Sequence, residues 1–192
     1  MTANAPRILT FAGSNRKGSI NRAALSLAIR AAREAGAEVE EIHLADFPMP
    51  LYDADWHDAN GVPASMLSLR EKFLRAQGLL IASPEYNASI TPLLKNTIDW
   101  LSQGVDGQSG RLPFEGKIVG LLGASAGAFG TIRALPHVSY ILSNLGAFVL
   151  PVLAVPAADK LFGTDGTVAN ERTARSIAKL GVDVTHLLRK MA

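Results

Sequence analysis

The chain has 192 residues, 48% of them hydrophobic, which is enough for one domain, residues 1–192, with a full-sized core and no need of a disulfide or metal staple. It contains no cysteine, which excludes thiol catalysis and thiolate metal sites and fits a reducing cytoplasm, and its four histidines, His43, His57, His137 and His186, lack metal-ligand spacing. The net charge of +2 and pI near 9.0 come without a dense basic tract, which argues against nucleic acid; Met1 to Pro6 is too short and polar for a signal peptide, and no apolar run approaches the ~20 residues that span a membrane, so a cytoplasmic protein is expected.

Arg7 to Ala12 reads as a first strand, and Gly13-Ser14-Asn15-Arg16-Lys17-Gly18-Ser19 as a polar, glycine-bearing loop. Ile20, Ala23, Ala24, Leu27 and Ala31 then mark the apolar face of a helix ending near Gly36. The loop carries hydroxyls and two cations and opens a helix whose free N–H groups attract negative charge, so a phosphate is the natural guest. Neither common nucleotide loop is present. Ser19 stands where the Walker pattern needs lysine, and Asn15 where the dinucleotide fingerprint needs glycine, so an ordinary strand-to-helix turn is the plain alternative.

Val39 to Leu44 is a second strand with the partial alternation of a sheet edge. Ala45 to Pro63 is a long connection, of the kind that covers a site, meets a partner or simply varies at the surface. Met66, Leu69 and Phe73 mark the second helix, and Leu79-Leu80-Ile81-Ala82 is a short apolar run of the kind buried on both faces. Pro84 stops that strand, Asn87 and Ser89 suit a turn, and Pro92 suits the first turn of a third helix with Leu93, Leu94, Thr97, Ile98 and Leu101 at helical spacing. Lys117 to Leu122 is the fourth strand and Gly123 to Gly130 a second glycine-bearing loop. Thr131 to Leu145 is a helix in which Pro136 predicts a kink. Ala147 to Val155, interrupted by Pro151, is the fifth strand, Pro156 to Gly166 a loop, and Ile177, Leu180, Val184, Leu187 and Leu188 mark a closing helix.

Five β segments separated by helices require right-handed crossovers, which predicts an α/β flavodoxin-like three-layer sandwich with a five-stranded parallel sheet of order 2-1-3-4-5. Its switch point lies between the first and third strands, where the Ser14 loop faces the Glu85 loop, with the Ser125 loop beside them. A phosphate cradle next to an aromatic-bearing loop suits a flat, phosphorylated cofactor such as FMN. The phosphate is expected on Ser14, Arg16, Ser19 and Asn21, with Ile20 among the cofactor-binding residues. The ring is expected against Pro84, Glu85, Tyr86 and Asn87, with Ser125 nearby. No acid-base residue is required, since a flavin carries hydride chemistry itself.

The motifs Gly13-Ser14-x-Arg16-x-x-Ser19-x-Asn21, Pro84-Glu85-Tyr86-Asn87 leading to Leu94-Lys95-Asn96-x-x-Asp99-Trp100, and Gly127-x-x-Gly130-x-x-Arg133-Ala134 resemble those of the NADPH-dependent FMN reductase family, over roughly residues 7–155. The resemblance implies noncovalent FMN, NADPH or NADH as co-substrate, a hydride relay to a small-molecule acceptor such as a quinone, chromate, azo compound or flavin, and a homodimer or homotetramer. Ala126, where proline is common, and Thr131, where glycine is common, depart from the pattern.

Among the remaining residues, Trp100 reads as core, Asp99 as a solvated or paired charge, Arg133 as the partner of an acidic group at a subunit contact, and His186 as surface. Two rivals stay open. Gly123-Ala124-Ser125-Ala126-Gly127 matches a nucleophile elbow, which with Asp159 or Asp165 and then His186 drafts a serine hydrolase. A non-catalytic flavodoxin-like electron carrier is the other.

Overall fold

The computed structural model describes residues 5–161 and 168–191. In chain order these form β1 (Arg7–Ala12), α1 (Ile20–Glu34), β2 (Glu38–Glu41), α2 (Ala54–Asn60), α3 (Ala64–Arg75), β3 (Gly78–Ala82), α4 (Pro92–Leu101), β4 (Ile118–Ala124), α5 (Leu135–Asn144), β5 (Phe148–Val149), β6 (Leu153–Val155) and α6 (Glu171–Met191). All strand pairs are parallel, in the order β2-β1-β3-β4-β5, and β6 also pairs with β4.

The central strands are apolar at every position because both faces are covered. Ile8, Leu80, Ala82, Leu122 and Ala124 point to one side, where Leu25 and Ala28 of α1 meet Ile177 and Val184 of α6. Leu9, Phe11, Leu79, Ile81, Val119 and Leu121 point to the other, against Phe73 of α3, Leu94 and Ile98 of α4 and Leu142 of α5. The period-2 alternation of a strand therefore divides one apolar run between two cores. β2 is the edge, with Glu38, Glu40 and Glu41 exposed and Val39 half-buried.

The structure corrects three sequence expectations. The fifth strand is two strands, because Pro151 has no N–H to donate to the ladder; β5 and β6 each pair a different stretch of β4. The helix expected from Thr131 begins at Leu135, so Pro136 lies in its first turn, where no intrahelical bond is lost, and the predicted kink does not arise. The second strand ends at Glu41 instead of Leu44, and Leu44–Asp46 forms a 3-10 turn.

The long connection after β2 is tied down over α4. The Pro50 carbonyl accepts hydrogen bonds from Trp100 Nε1 (2.8 Å) and Asn96 Nδ2 (2.9 Å), and Tyr52 N–H donates to Asn96 Oδ1 (2.8 Å). Tyr52, Trp56 and His57 pack edge-on to Trp100, which is fully buried, as its reading as core required.

Candidate functional site

Gly13, Ser83 and Ser125 directly follow β1, β3 and β4, so three loops emerge together at the carboxyl edge of the sheet, where open α/β sheets bind ligands. The first loop is fastened before it turns. Gly13 N–H donates to the Ala82 carbonyl (2.9 Å), and the buried Thr91 hydroxyl donates to the Gly13 carbonyl (2.9 Å) while accepting from Leu94 N–H (3.3 Å) as the N-cap of α4. A Cβ on Gly13 would stand 3.0 Å from Leu94 Cβ and 3.2 Å from Thr91 Oγ1, so glycine is what allows the loop to rest on α4.

Beyond Gly13, Ser14 is half-buried, with its Oγ accepting from Arg16 N–H (3.3 Å), and Asn15 to Gly18 are exposed. Arg22 reaches back from α1 to donate to the carbonyls of Arg16 and Lys17 (2.7 Å to Lys17), which ties the loop to the helix it precedes. Ser19 is the N-cap, its Oγ accepting from Arg22 N–H (3.3 Å) and its carbonyl from Ala23 N–H (3.1 Å). The N–H groups of Ile20 and Asn21 have no acceptor among the described residues. They lie at the positive end of a 15-residue helix. A cavity of about 500 Å³ opens there, lined by Lys17 to Ile20, Arg22, Ala158 and Asp159.

Asn21 is placed differently from its expected role. Its side chain is buried, its Nδ2 donates to the Ala124 carbonyl (2.8 Å) and its Oδ1 accepts from Ala124 N–H (2.9 Å). Both amide functions are thus matched to the end of β4, which leaves the Asn21 backbone N–H, and not its side chain, for a ligand.

The second loop is a tight hairpin. Tyr86 and Ser89 exchange both backbone hydrogen bonds (3.1 and 3.0 Å) around Asn87 at φ 49° and Ala88 at φ 64°, the two left-handed residues of a type I′ turn. Asn87 suits that geometry; Ala88 adopts it under the constraint of the hairpin. Pro84 is buried, and the Tyr86 side chain stands out into solvent. The Ser89 hydroxyl lies 3.0 Å from His137 Nδ1.

Glu85 turns away from the hairpin tip. Its Oε1 accepts from Arg133 Nε (2.8 Å) and from the same guanidinium's NH2, and its Oε2 accepts from the backbone N–H groups of Arg133 (3.2 Å) and Ala134 (3.1 Å). Partial burial pushes the Glu85 carboxyl upward, but the hydrogen bonds and charge of Arg133, with Ala134 N–H, hold it below the usual carboxylate range. Arg133, read from the sequence as a subunit contact, thus pairs within its own chain, and its guanidinium carbon also sits 5.0 Å above the ring of exposed Phe129.

The third loop is braced by the segment after β6. Ser125 N–H donates to the Val155 carbonyl (3.2 Å), Ala158 N–H to the Ser125 carbonyl (2.9 Å) and Ala157 N–H to the Gly127 carbonyl (3.2 Å). Thr131 has φ 69°, a left-handed backbone that favours glycine. The Thr131 side chain is buried over Gly123, whose added Cβ would lie 1.9 Å from Thr131 Oγ1.

Ser125 Oγ donates to the Gly127 carbonyl (3.4 Å), and no histidine bonds to it among the described residues. His186 is exposed on α6 beside Leu150 and Pro151, and Asp159 lines the cavity at the first loop. Asp165 lies outside the described residues. Asp99 forms an ion pair with Lys95 (2.7 Å) one turn away. Sequence reasoning missed Arg22, Thr91 and Ala157–Ala158 as the braces of the three loops. Only Thr91 carried a signal, as a threonine directly before a proline that opens a helix.

The parallel sheet and its switch point define a flavodoxin-like protein, in which an open helix N-terminus follows the polar loop after β1. The chain belongs to the NADPH-dependent FMN reductase family, whose model matches residues 6–160. It is 38% identical over 174 residues to an NAD(P)H-dependent FMN reductase of Pseudomonas aeruginosa, covering 89% of each chain. It is also 38% identical over 145 residues to a quinone reductase of Escherichia coli, covering 75% of this chain and 73% of that one. The fold matches that of a flavoenzyme NAD(P)H:(acceptor) oxidoreductase of Paracoccus denitrificans with a TM-score of 0.80, at 24% identity over 97% of this chain and 98% of that one.

Proposed function

We propose that this chain, as one domain over residues 1–192, is an FMN-dependent NAD(P)H oxidoreductase acting on a small-molecule acceptor such as a quinone, chromate, azo compound or flavin. The observation that carries the reading is the pair of N–H groups of Ile20 and Asn21, without an acceptor among the described residues, next to a hydroxyl- and cation-bearing loop across the switch point from the Tyr86 hairpin. The residues present fit the cofactor. The hydroxyls of Ser14 and Ser19, the Arg16 guanidinium and the two N–H groups would hold its phosphate. Pro84, the Glu85 backbone, Tyr86 and Asn87 would hold its ribityl chain and ring, with Ser125 alongside. Bound FMN would supply the redox chemistry, accepting a hydride from NAD(P)H and passing two electrons to the acceptor.

The protein's own contribution is position and electrostatics. The α1 N-terminus neutralises phosphate charge, and Thr91 and Arg22 keep the first loop from collapsing onto it. Tyr86 and Phe129 are exposed, where a planar co-substrate or acceptor could stack. Among the described residues no helix is long and apolar enough to cross a membrane. We place the protein in the cytoplasm, as a homodimer or homotetramer.

The test is anaerobic spectroscopy. Added FMN should bind, its absorption should bleach with NADPH or NADH, and it should return when a quinone is supplied. Tight FMN binding without nicotinamide turnover would instead make the protein a carrier, and no FMN binding would overturn the reading. Arg16→Ala should weaken FMN binding by about 1.5–3 kcal/mol through loss of a charge-assisted contact, measured by flavin fluorescence titration.

A further inference from the structure

Glu85 is the one acidic residue in the Pro84–Ser89 loop, and its side chain is only 9% exposed. Its carboxylate meets four donors, two from the Arg133 guanidinium and two from the backbone N–H groups of Arg133 and Ala134, immediately before α5. These contacts engage both oxygens, so a direct bond from Glu85 to a cofactor would require one of them to be given up. The same guanidinium lies over Phe129. One ion pair therefore joins the hairpin after β3 to the loop after β4 and to that loop's exposed aromatic ring.

We propose that Glu85 and Arg133 act together as a latch, a positioning pair and not two cofactor contacts, that holds the Tyr86 hairpin and the Phe129 segment as the two walls of the flavin cleft. The inference rests on the FMN reading for what the walls enclose. The latch itself is a property of the chain. A hairpin turning on Asn87 and Ala88, both left-handed, is strained at Ala88; the Tyr86–Ser89 hydrogen bonds close it, and the residue directly before them is the anchored Glu85. Without Arg133, the Glu85 carboxylate retains two backbone donors but loses its counter-charge; without Glu85, the start of α5 loses its anionic cap.

A double-mutant cycle on FMN affinity separates a latch from direct contact. Glu85→Gln and Arg133→Ala should each raise the FMN Kd on the order of tenfold, and the double variant should be no more than about twofold worse than the weaker single, since both remove the same device. Arg133→Lys should recover part of the loss. It also carries the cycle with Glu85→Gln if Arg133→Ala does not fold. In the flavin-free protein, amide hydrogen exchange at Tyr86 and Ser89 should be faster in each single variant than in the wild type. Losses that multiply in the double variant would mean that each residue touches the flavin independently, and single variants with unchanged affinity and exchange would mean that the pair positions nothing; either result overturns the proposal. If the wild-type chain does not bind FMN, the cofactor reading fails by itself, and the exchange measurement still decides for or against the latch.

Discussion

The two ends of the parallel sheet bury polar groups on different terms. At the carboxyl end, Asn21, Thr91 and Glu85 are buried or nearly so, and each has partners for its functional atoms: Ala124 for Asn21, Gly13 and Leu94 for Thr91, Arg133 and Ala134 for Glu85. At the amino end, Lys117 is 6% exposed, and its ammonium has one acceptor among the described residues, the Ala76 carbonyl at 2.5 Å. Burial without a counter-charge pushes its pKa down from 10.5 to about 8. These three buried groups at the carboxyl end are matched and fix loops in place, with the buried Thr131 hydroxyl as the exception there, whereas the Lys117 ammonium at the amino end is incompletely matched and costs stability. The difference follows the site, because loops that must hold a ligand need rigid carbonyl and amide positions.

Four substitutions would break or sharpen this contrast. The largest effect is expected for Asn21→Ala, which strands the N–H and carbonyl of Ala124 inside the protein and should cost about 2–4 kcal/mol in chemical denaturation. A loss below about 1 kcal/mol would mean that water replaces the amide and that the end of β4 is not dry.

Next is Thr91→Val, which keeps the shape but removes both the cap of α4 and the donor to Gly13, for about 1.5–2 kcal/mol of stability. FMN binding should weaken as well, because the first loop loses its fastening. A variant that lost stability but kept full flavin affinity would separate the cap from the loop.

Lys117→Met should act in the opposite direction, stabilising the protein at pH 7 on the order of 1–2 kcal/mol by removing a buried charge. The sign follows from linkage. Between the folded pKa of about 8 and the unfolded value of 10.5, the unfolded chain binds more protons, so wild-type stability rises with pH across that window and the added stability is lost as pH falls through 8. The Lys117→Met variant should lack that rise in pH-dependent melting, and an identical slope in both proteins would show that the ammonium is well solvated.

Thr131→Gly should change stability least, within about 1 kcal/mol, because relief of a β-branched residue at φ 69° and removal of an unpartnered hydroxyl offset the loss of buried side-chain volume over Gly123. A loss above 2 kcal/mol, roughly that of a core truncation, would identify Thr131 as a packing residue first.

Much of this was legible before any coordinates. The apolar runs at Ile8 to Ala12 and Leu79 to Ala82 and the helical spacing after Ile20 and Pro92 dictated the strand order, since right-handed crossovers leave few alternatives. Ser14, Arg16 and Ser19 could be assigned to the first loop because hydroxyls, cations and a helix start occur together there. Asn21 stands in that helix start, but the sequence does not say whether its side chain or its backbone N–H faces a ligand; the fold turns the side chain to Ala124, 103 residues away, and leaves the N–H. Pro136 was expected to kink a helix because local pattern placed the start at Thr131, and only the left-handed turn at that residue moved it.

What the sequence by itself determined is the alternation of strand and helix, the place of the three loops and the chemistry they carry, because these depend on side-chain periodicity and turn propensity within short windows. What only the tertiary structure decided is which polar groups are left open to a ligand. That depends on partners far apart in the chain, Asn21 with Ala124, Thr91 with Gly13 and Glu85 with Arg133, and a buried donor or acceptor is assigned by whatever group the fold brings within hydrogen-bond reach.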